Sequence, residues 1–375
     1  MSVFTHPALA DVDAVGPVIE KVGVALDRDP TDWAPLWEHD ILRAITLMEV
    51  PDPYNPMPNC GGIFGDKPVD YATQMAVAER IARFDANVVL ALPTPTMSGY
   101  AIHVLGNETQ IESYFSRYLN PNPGRSFFGI TEPDVGSDAT AGTSTIVASE
   151  GGRRMTVHKK LVGGAKQANA GLLFVWDAVA RAHKMVMCDE ALISQLQIGR
   201  LPMHGLTGAD LTEIRCENIE IPETAILGHG RTAGLRDGFF AMNSVFERYR
   251  PIVATLAIGS ARGILDKLCD MGVSRTVLDP LFVRHAVFLQ RLKQIADTYE
   301  TGTSKVYDTS RLKLDAVAFL DATVATVFRS LPSADLFQHP SLLKKCRDAK
   351  SYEYMEGTSH IHLLQSFRSY VPASA

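Results

Sequence analysis

Apolar residues along this chain change their spacing twice. Over the first 125 residues they recur at helical intervals. Val18, Ile19, Val22, Val24, Ala25 and Leu26 follow Pro17, a residue tolerated in the first turn of a helix. Ile41, Leu42, Ala44, Ile45 and Leu47 repeat the pattern over 36–48, and Ala72, Met75, Ala76, Ala78, Ile81 and Ala82 over 71–84. The segment 50–62 is too rich in Pro and Gly for regular structure. Residues 97–105 are apolar, and Asn107 or Thr109 can cap a helix that runs to Tyr118.

From 126 to about 228 the pattern shortens. Runs of β-formers at 143–148, 154–158, 171–176, 185–188, 197–201 and 212–221 alternate with Gly clusters, and Pro222 ends the last of them. This predicts a compact β-domain, a small barrel or a sandwich. Helical spacing returns over 235–271, broken only near Pro251, and again over 280–298, 304–331 and 341–367. The expectation is an α+β chain with an N-terminal helical domain at 1–125, a central β-domain at 126–230 and a C-terminal helical domain at 231–375.

Composition narrows the classes. With 46% hydrophobic and 21% charged residues, the 375-residue chain has the make-up of a globular protein. A formal net charge of −6 argues against general nucleic-acid binding. The five cysteines are scattered, without a Cys-x-x-Cys pair, so reduced thiols are expected and no zinc site. Without a basic-then-apolar leader or an apolar run of spanning length, a cytoplasmic protein that does not engage a membrane is expected.

One stretch concentrates chemistry: Phe127-Phe128-Gly129-Ile130-Thr131-Glu132-Pro133-Asp134-Val135-Gly136-Ser137-Asp138. It reads as an apolar strand entering a turn, where Pro133 and Gly136 set the backbone and Thr131 and Ser137 bring hydroxyls. Exposed N–H groups at such a strand end can hold a polar or phosphorylated ligand. In isolation it is also an ordinary surface turn.

Thr-Glu-Pro-x-x-Gly-Ser-Asp resembles the signature of the acyl-CoA dehydrogenase family. Arg250-Pro251-Ile252-Val253-Ala254, Arg347-Asp348-Ala349-Lys350 and Met355-Glu356-Gly357-Thr358-Ser359 match further family elements in the right order. The resemblance implies a helical domain, a β-domain and a four-helix C-terminal domain around FAD. It implies Glu356 as the base that removes the α-proton of an acyl thioester, while FAD accepts the β-hydride. An apolar surround would raise the pKa of such a base. By the same resemblance Phe128, Ile130, Thr131, Gly136 and Ser137 touch the flavin, Thr358 and Ser359 meet it from the other side, and Arg275 reaches a neighbouring subunit's FAD. Ser137, Arg250 and Gly357 contact substrate, and the enolate oxygen is met by the Glu356 N–H and a flavin hydroxyl. The implied partners are an acyl thioester on CoA or on acyl-carrier protein, an electron acceptor such as an electron-transfer flavoprotein or oxygen, and further copies of the chain in a homodimer or homotetramer. Lys344, Lys345 and Arg347 are candidates for meeting an acidic carrier.

Departures from the family pattern are equally legible. Leu161 stands where the family has Trp, and Gly163 where it has Thr. A Gln-x-x-Gly-Gly element is replaced by Leu331-Pro332-Ser333-Ala334-Asp335. No Gly-x-Gly-x-x-Gly opens a βαβ unit, so a Rossmann site is not expected. His360 and His362 are spaced two apart, poorly placed for a shared metal on one helical face, and no metal is assigned. Three functions remain: FAD-dependent dehydrogenation, proton chemistry on a thioester without flavin (isomerisation, dehydration or cyclisation), and binding without catalysis. The departures favour a specialised biosynthetic role.

Overall fold

A computed structural model describes residues 5–65, 69–150, 152–230 and 237–368. The N-terminal helices are α1 (Ala8–Ala14), α2 (Gly16–Leu26), α3 (Asp40–Leu47), α4 (Tyr71–Asp85), α5 (Asn87–Ala91), α6 (Thr96–Leu105) and α7 (Glu108–Phe115). The helix expected over 36–48 is two pieces, a 3₁₀ turn at Ala34–Glu38 and α3, because His39 between them is extended. Asn107 does cap α7, in a reciprocal box with Gln110.

Seven strands follow: β1 (Arg125–Gly129), β2 (Thr145–Ser149), β3 (Gly152–Gly163), β4 (Ala168–Asp177), β5 (Ala182–Cys188), β6 (Gln197–Arg200) and β7 (Leu211–Ile221), with the short α8 (Glu190–Ile193) before β6. They form one sheet in the order β1-β4-β2-β3-β7-β6, with β5 on β4. The sheet bends around its own core, to which Phe127, Ile146, Val157, Leu173, Val186 and Ile214 contribute from six strands. β3 is far longer than the run 154–158. Its charged second half pairs with β7 through to Gly163, and the hydrophobic pattern is interrupted there by the buried Lys159.

The C-terminal part holds α9 (Asp237–Asp270), α10 (Arg275–Glu300), α11 (Val306–Ser330), α12 (Ser333–Gln338), α13 (Pro340–Asp348) and α14 (Ser359–Arg368). Leu235, the expected first residue of its leading helix, lies outside the described residues. Pro251 does not interrupt α9, and in the turn before it the Arg248 carbonyl accepts the Tyr71 hydroxyl. α10 begins at Arg275, ahead of Pro280, because Ser274 caps its N-terminus. The expected helix over 341–367 is cut at residues 355–358. The break is the most consequential local difference, since Glu356 sits in it.

α9 ties the layers together. Near its start Gly238 packs on β5, where an added Cβ would lie 2.4 Å from the His183 carbonyl. Farther along, Gly263 lets α4 approach so closely that a Cβ would fall 1.9 Å from the Arg83 carbonyl. α6 meets the sheet through Ser98 Oγ, which donates to the Phe127 carbonyl at 2.5 Å.

Candidate active site

Glu356 stands in a turn that its own sequence makes unusual. A 3₁₀ turn (Ala349–Tyr354) carries the buried Tyr352, whose hydroxyl lies 2.8 Å from Ser260 Oγ on α9. The chain then runs extended at Met355 and left-handed at Glu356 (φ +52°), and Gly357 takes φ +104°. A non-glycine residue at positive φ costs about 1–3 kcal/mol and persists where its surroundings enforce it. Here they do. Arg250 Nε donates to the Glu356 carbonyl at 3.2 Å, and Lys313 Nζ donates to the carbonyls of Gly357 (2.7 Å) and Glu353 (3.1 Å). Glu353 in turn caps α14, accepting the Ser359 N–H at 2.7 Å and the Ser359 hydroxyl at 2.5 Å.

The Glu356 carboxylate itself has no hydrogen-bond partner among the described residues. The residue keeps some accessible surface, yet its carboxyl lies under enough protein for burial to dominate. Burial lifts its pKa from an ordinary 4.5 to about 7, against the opposing pull of Arg250 and Lys313. The same surround lowers Lys313 to about 8, burial again leading, with Glu353 and Glu356 resisting. His362 lies fully buried beneath Gly357, with neither ring nitrogen in a regular hydrogen bond. Burial, then Lys313 and Arg250, push it down to about 3, so it is a neutral imidazole.

The turn after β1 is built around another carboxylate. Glu132 is buried and accepts from Lys159 Nζ (2.8 Å), the Thr143 N–H (2.6 Å) and the Ser144 N–H (3.0 Å). Burial alone would raise its pKa, but these partners outweigh it and bring it to about 2. The Lys160 N–H holds the Thr131 carbonyl at 2.8 Å. The turn is thereby fixed while other polar groups on it stay open. The hydroxyls of Thr131 and Ser137 bond nothing within the described chain, and a Cβ at Gly136 would meet nothing within 4 Å. Ile130 is buried, Phe128 half-buried. Leu161 stands 52% exposed at φ +60° on the β3 bulge, one residue from Lys160. Two unpaired hydroxyls, an open glycine and an exposed apolar side chain suit the polar edge and flat face of a flavin. At Gly163 an added Cβ would come within 3.2 Å of the Ala209 carbonyl, so the small residue is matched by a closely packed backbone.

The structure gathers Arg250, Glu356 and Gly357 in one cluster and Phe128, Ile130, Thr131, Gly136 and Ser137 in another. α9 touches both: its Ala241, Met242 and Val245 share a core with Ile130, and its Arg250 holds the turn of Glu356. The Thr358 hydroxyl, beside the first cluster, has no partner among the described residues, and its carbonyl accepts the His362 N–H at 3.1 Å. Ser359 has its N–H and hydroxyl engaged by Glu353, leaving only lone pairs for a ligand. Arg275 joins neither cluster. It is exposed, paired with Asp279 at 2.7 Å, and contacts Cys269, roughly 28 Å along α9 from Arg250 at 1.5 Å per residue.

Two expectations are corrected. Lys344 and Lys345 cannot meet a carrier: both are buried, Lys344 between Asp85 (2.8 Å) and Asp348 (2.7 Å), Lys345 on the Arg83 carbonyl at 3.1 Å. Of that trio only Arg347 reaches the surface, and it pairs with Asp27. Sequence reasoning passed over Lys313, Glu353 and Lys159. A signal existed for Lys313, since helical spacing puts it with Thr309, Ala316 and Leu320 on the buried face of α11.

The sequence matches no protein-family model. It is 24% identical over 319 residues to an acyl-CoA dehydrogenase of Bacillus subtilis, covering 80% of this chain and 83% of that protein. Among solved structures, butyryl-CoA dehydrogenase from Megasphaera elsdenii superposes with a TM-score of 0.82 at 17% identity, over 98% of this chain and 99% of that one. A glutaryl-CoA dehydrogenase from Mycobacterium smegmatis in complex with FADH2 superposes with a TM-score of 0.78 at 16% identity, over 97% and 95%.

Proposed function

We propose that this chain, a divergent member of the acyl-CoA dehydrogenase family, is an FAD-dependent oxidoreductase that forms the α,β double bond of an acyl thioester. The observation that carries the reading is Glu356: a carboxylate with no hydrogen-bond partner among the described residues, raised to about 7, partly accessible and held in a strained turn. A general base works best when its pKa lies near the working pH and its lone pair is unengaged. Glu356 takes the α-proton, and its own N–H, which has no acceptor in the described chain, stabilises the enolate oxygen. Bound FAD supplies the acceptor for the β-hydride. Thr131, Gly136, Ser137, Phe128 and Ile130 hold the cofactor on the β-domain side, Thr358 and Ser359 on the helical side. Arg250, whose other guanidinium N–H groups have no acceptor among the described residues, and Ser137 and Gly357 orient the substrate.

The acyl group rides on CoA or a carrier protein, and electrons leave to an electron-transfer flavoprotein or to oxygen. In this reading Arg275, exposed and remote from its own chain's site, serves the cofactor of a second copy in a homo-oligomer. One observation favours a second reading, proton chemistry without redox: Leu161 and Gly163 bring no hydroxyl to the β3 side of the flavin site. The test is reconstitution with FAD followed by anaerobic addition of butyryl-CoA and longer or branched acyl-CoAs. Loss of the oxidised flavin absorbance supports dehydrogenation. Solvent deuterium entering the α-carbon of the thioester in FAD-free protein supports the second reading.

A further inference from the structure

Lys313 is a charged side chain fully buried in α11, and neither the expected chemistry nor the expected cofactor uses it. Its ammonium donates to the Glu353 carbonyl, three residues before the base, and to the Gly357 carbonyl, one residue after it. These two bonds bracket Glu356. Arg250 adds a third hold, on the Glu356 carbonyl between them. In a trans peptide the N–H points opposite to the C=O. A carbonyl of Gly357 fixed on Lys313 therefore directs the Thr358 N–H away from the cation. Both the Glu356 and the Thr358 N–H lack an acceptor in the described chain. Lys313 thus pins the chain on both sides of Glu356, and the peptide that follows Gly357 turns its donor away from the cation.

We propose that Lys313 is the positioning residue of this turn: by tying the Glu353 and Gly357 carbonyls it holds Glu356 left-handed, with its carboxylate free and its amide N–H presented to the enolate oxygen of a bound thioester. The proposal rests on the reading of Glu356 as the base and deepens it. The step served is balanced within the site. The α C–H bond breaks, its proton passes to the Glu356 carboxylate, and the electron pair moves onto the thioester as an enolate. The charged and titratable groups around Lys313 are Glu353 and Glu356 on the turn, Arg250 on α9 and His362 on α14.

The test uses acetoacetyl-CoA, which enolises without being dehydrogenated, so its enolate absorbance reports the oxyanion contact independently of flavin reduction. The FAD-loaded wild type is expected to bind it as the enolate. Lys313→Met, which keeps the stem and removes the ammonium, is expected to bind it mainly as the keto form, with enolate capture down about a hundredfold, the lower end of the range for losing a positioned oxyanion donor. Lys313→Gln, which retains donors, is expected to recover part of the loss. Circular dichroism and thermal melts on both variants separate mispositioning from failure to fold. Where acyl-CoA reduces the flavin, the pH limb for Glu356 is expected to move upward in Lys313→Met, because a nearby cation is lost. Enolate capture at the wild-type level in a folded Lys313→Met, or no enolate capture by the wild type, overturns the proposal. Failure of acyl-CoA to bleach wild-type flavin while enolate capture persists overturns the dehydrogenase reading instead.

Discussion

Arg250 and Glu356 meet through the main chain: the guanidinium Nε donates to the Glu356 carbonyl at 3.2 Å, while the Glu356 carboxylate has no partner among the described residues. The arrangement steadies the turn without neutralising the carboxylate. A direct bidentate pair would hold the carboxylate charged and low in pKa, where it would be a poor proton acceptor. Carried to the backbone, the same cation fixes geometry and exerts only a partial electrostatic pull. Arg250→Met should therefore cost turnover while shifting the Glu356 limb of the rate profile to higher pH, since Arg250 lowers that pKa. Initial rates from pH 5 to 9 check both.

The raised pKa is also a statement about stability. Unfolded, Glu356 ionises near its ordinary 4.5; folded, near 7. The stability tied to its proton is fully present below 4.5 and is lost as pH rises through 7. Glu356→Gln has nothing to ionise. Its melting temperature should gain on that of the wild type as pH rises from 5 to 8, a difference that paired thermal melts would read.

The Glu132–Lys159 pair makes a contrasting prediction. Both groups are buried, and removing one partner leaves an uncompensated charge, at about 3–5 kcal/mol. Lys159→Met should show that loss in urea unfolding, and Glu132→Gln combined with Lys159→Met should recover much of it. Because the folded Glu132 titrates near 2, its contribution is present above pH 4.5 and disappears as pH falls toward 2. FAD retention should fall with Lys159→Met, since Glu132 anchors the turn carrying Thr131 and Ser137.

Gly357 combines φ +104° with close packing: a Cβ there would lie 3.3 Å from His362 Nε2. Gly357→Ala should cost about 1–3 kcal/mol of stability through backbone strain. Turnover should fall by more than folding does, because the strain is released into the turn that bears the base. Denaturant titration beside kcat separates the two.

Much of this fold was legible as periodicity. α2, α4 and β7 follow their hydrophobic spacing almost residue for residue. The misreadings have physical causes. β3 carries its buried Lys159 where a strand pattern expects an apolar residue, and only the tertiary partner Glu132 makes that tolerable. Pro251 reads as a break, yet α9 runs through it against tightly packed neighbours. The site divides in the same way. Glu356 and the Thr131–Ser137 turn were readable as motifs, whereas Lys313 acts across 40 residues on main-chain carbonyls, which leave no mark on side-chain identity. Lys344 and Lys345 looked like a basic surface because charge in sequence does not reveal burial. Asp85 and Asp348, one of them on a distant helix, keep Lys344 inside.

The most direct test of the central claim is anaerobic flavin reduction in wild type and Glu356→Gln, each loaded with FAD and mixed with the same acyl thioester. The account predicts that the wild type loses its oxidised flavin absorbance, while Glu356→Gln binds FAD and thioester but stays oxidised. Bleaching of the Glu356→Gln flavin at the wild-type rate would contradict it.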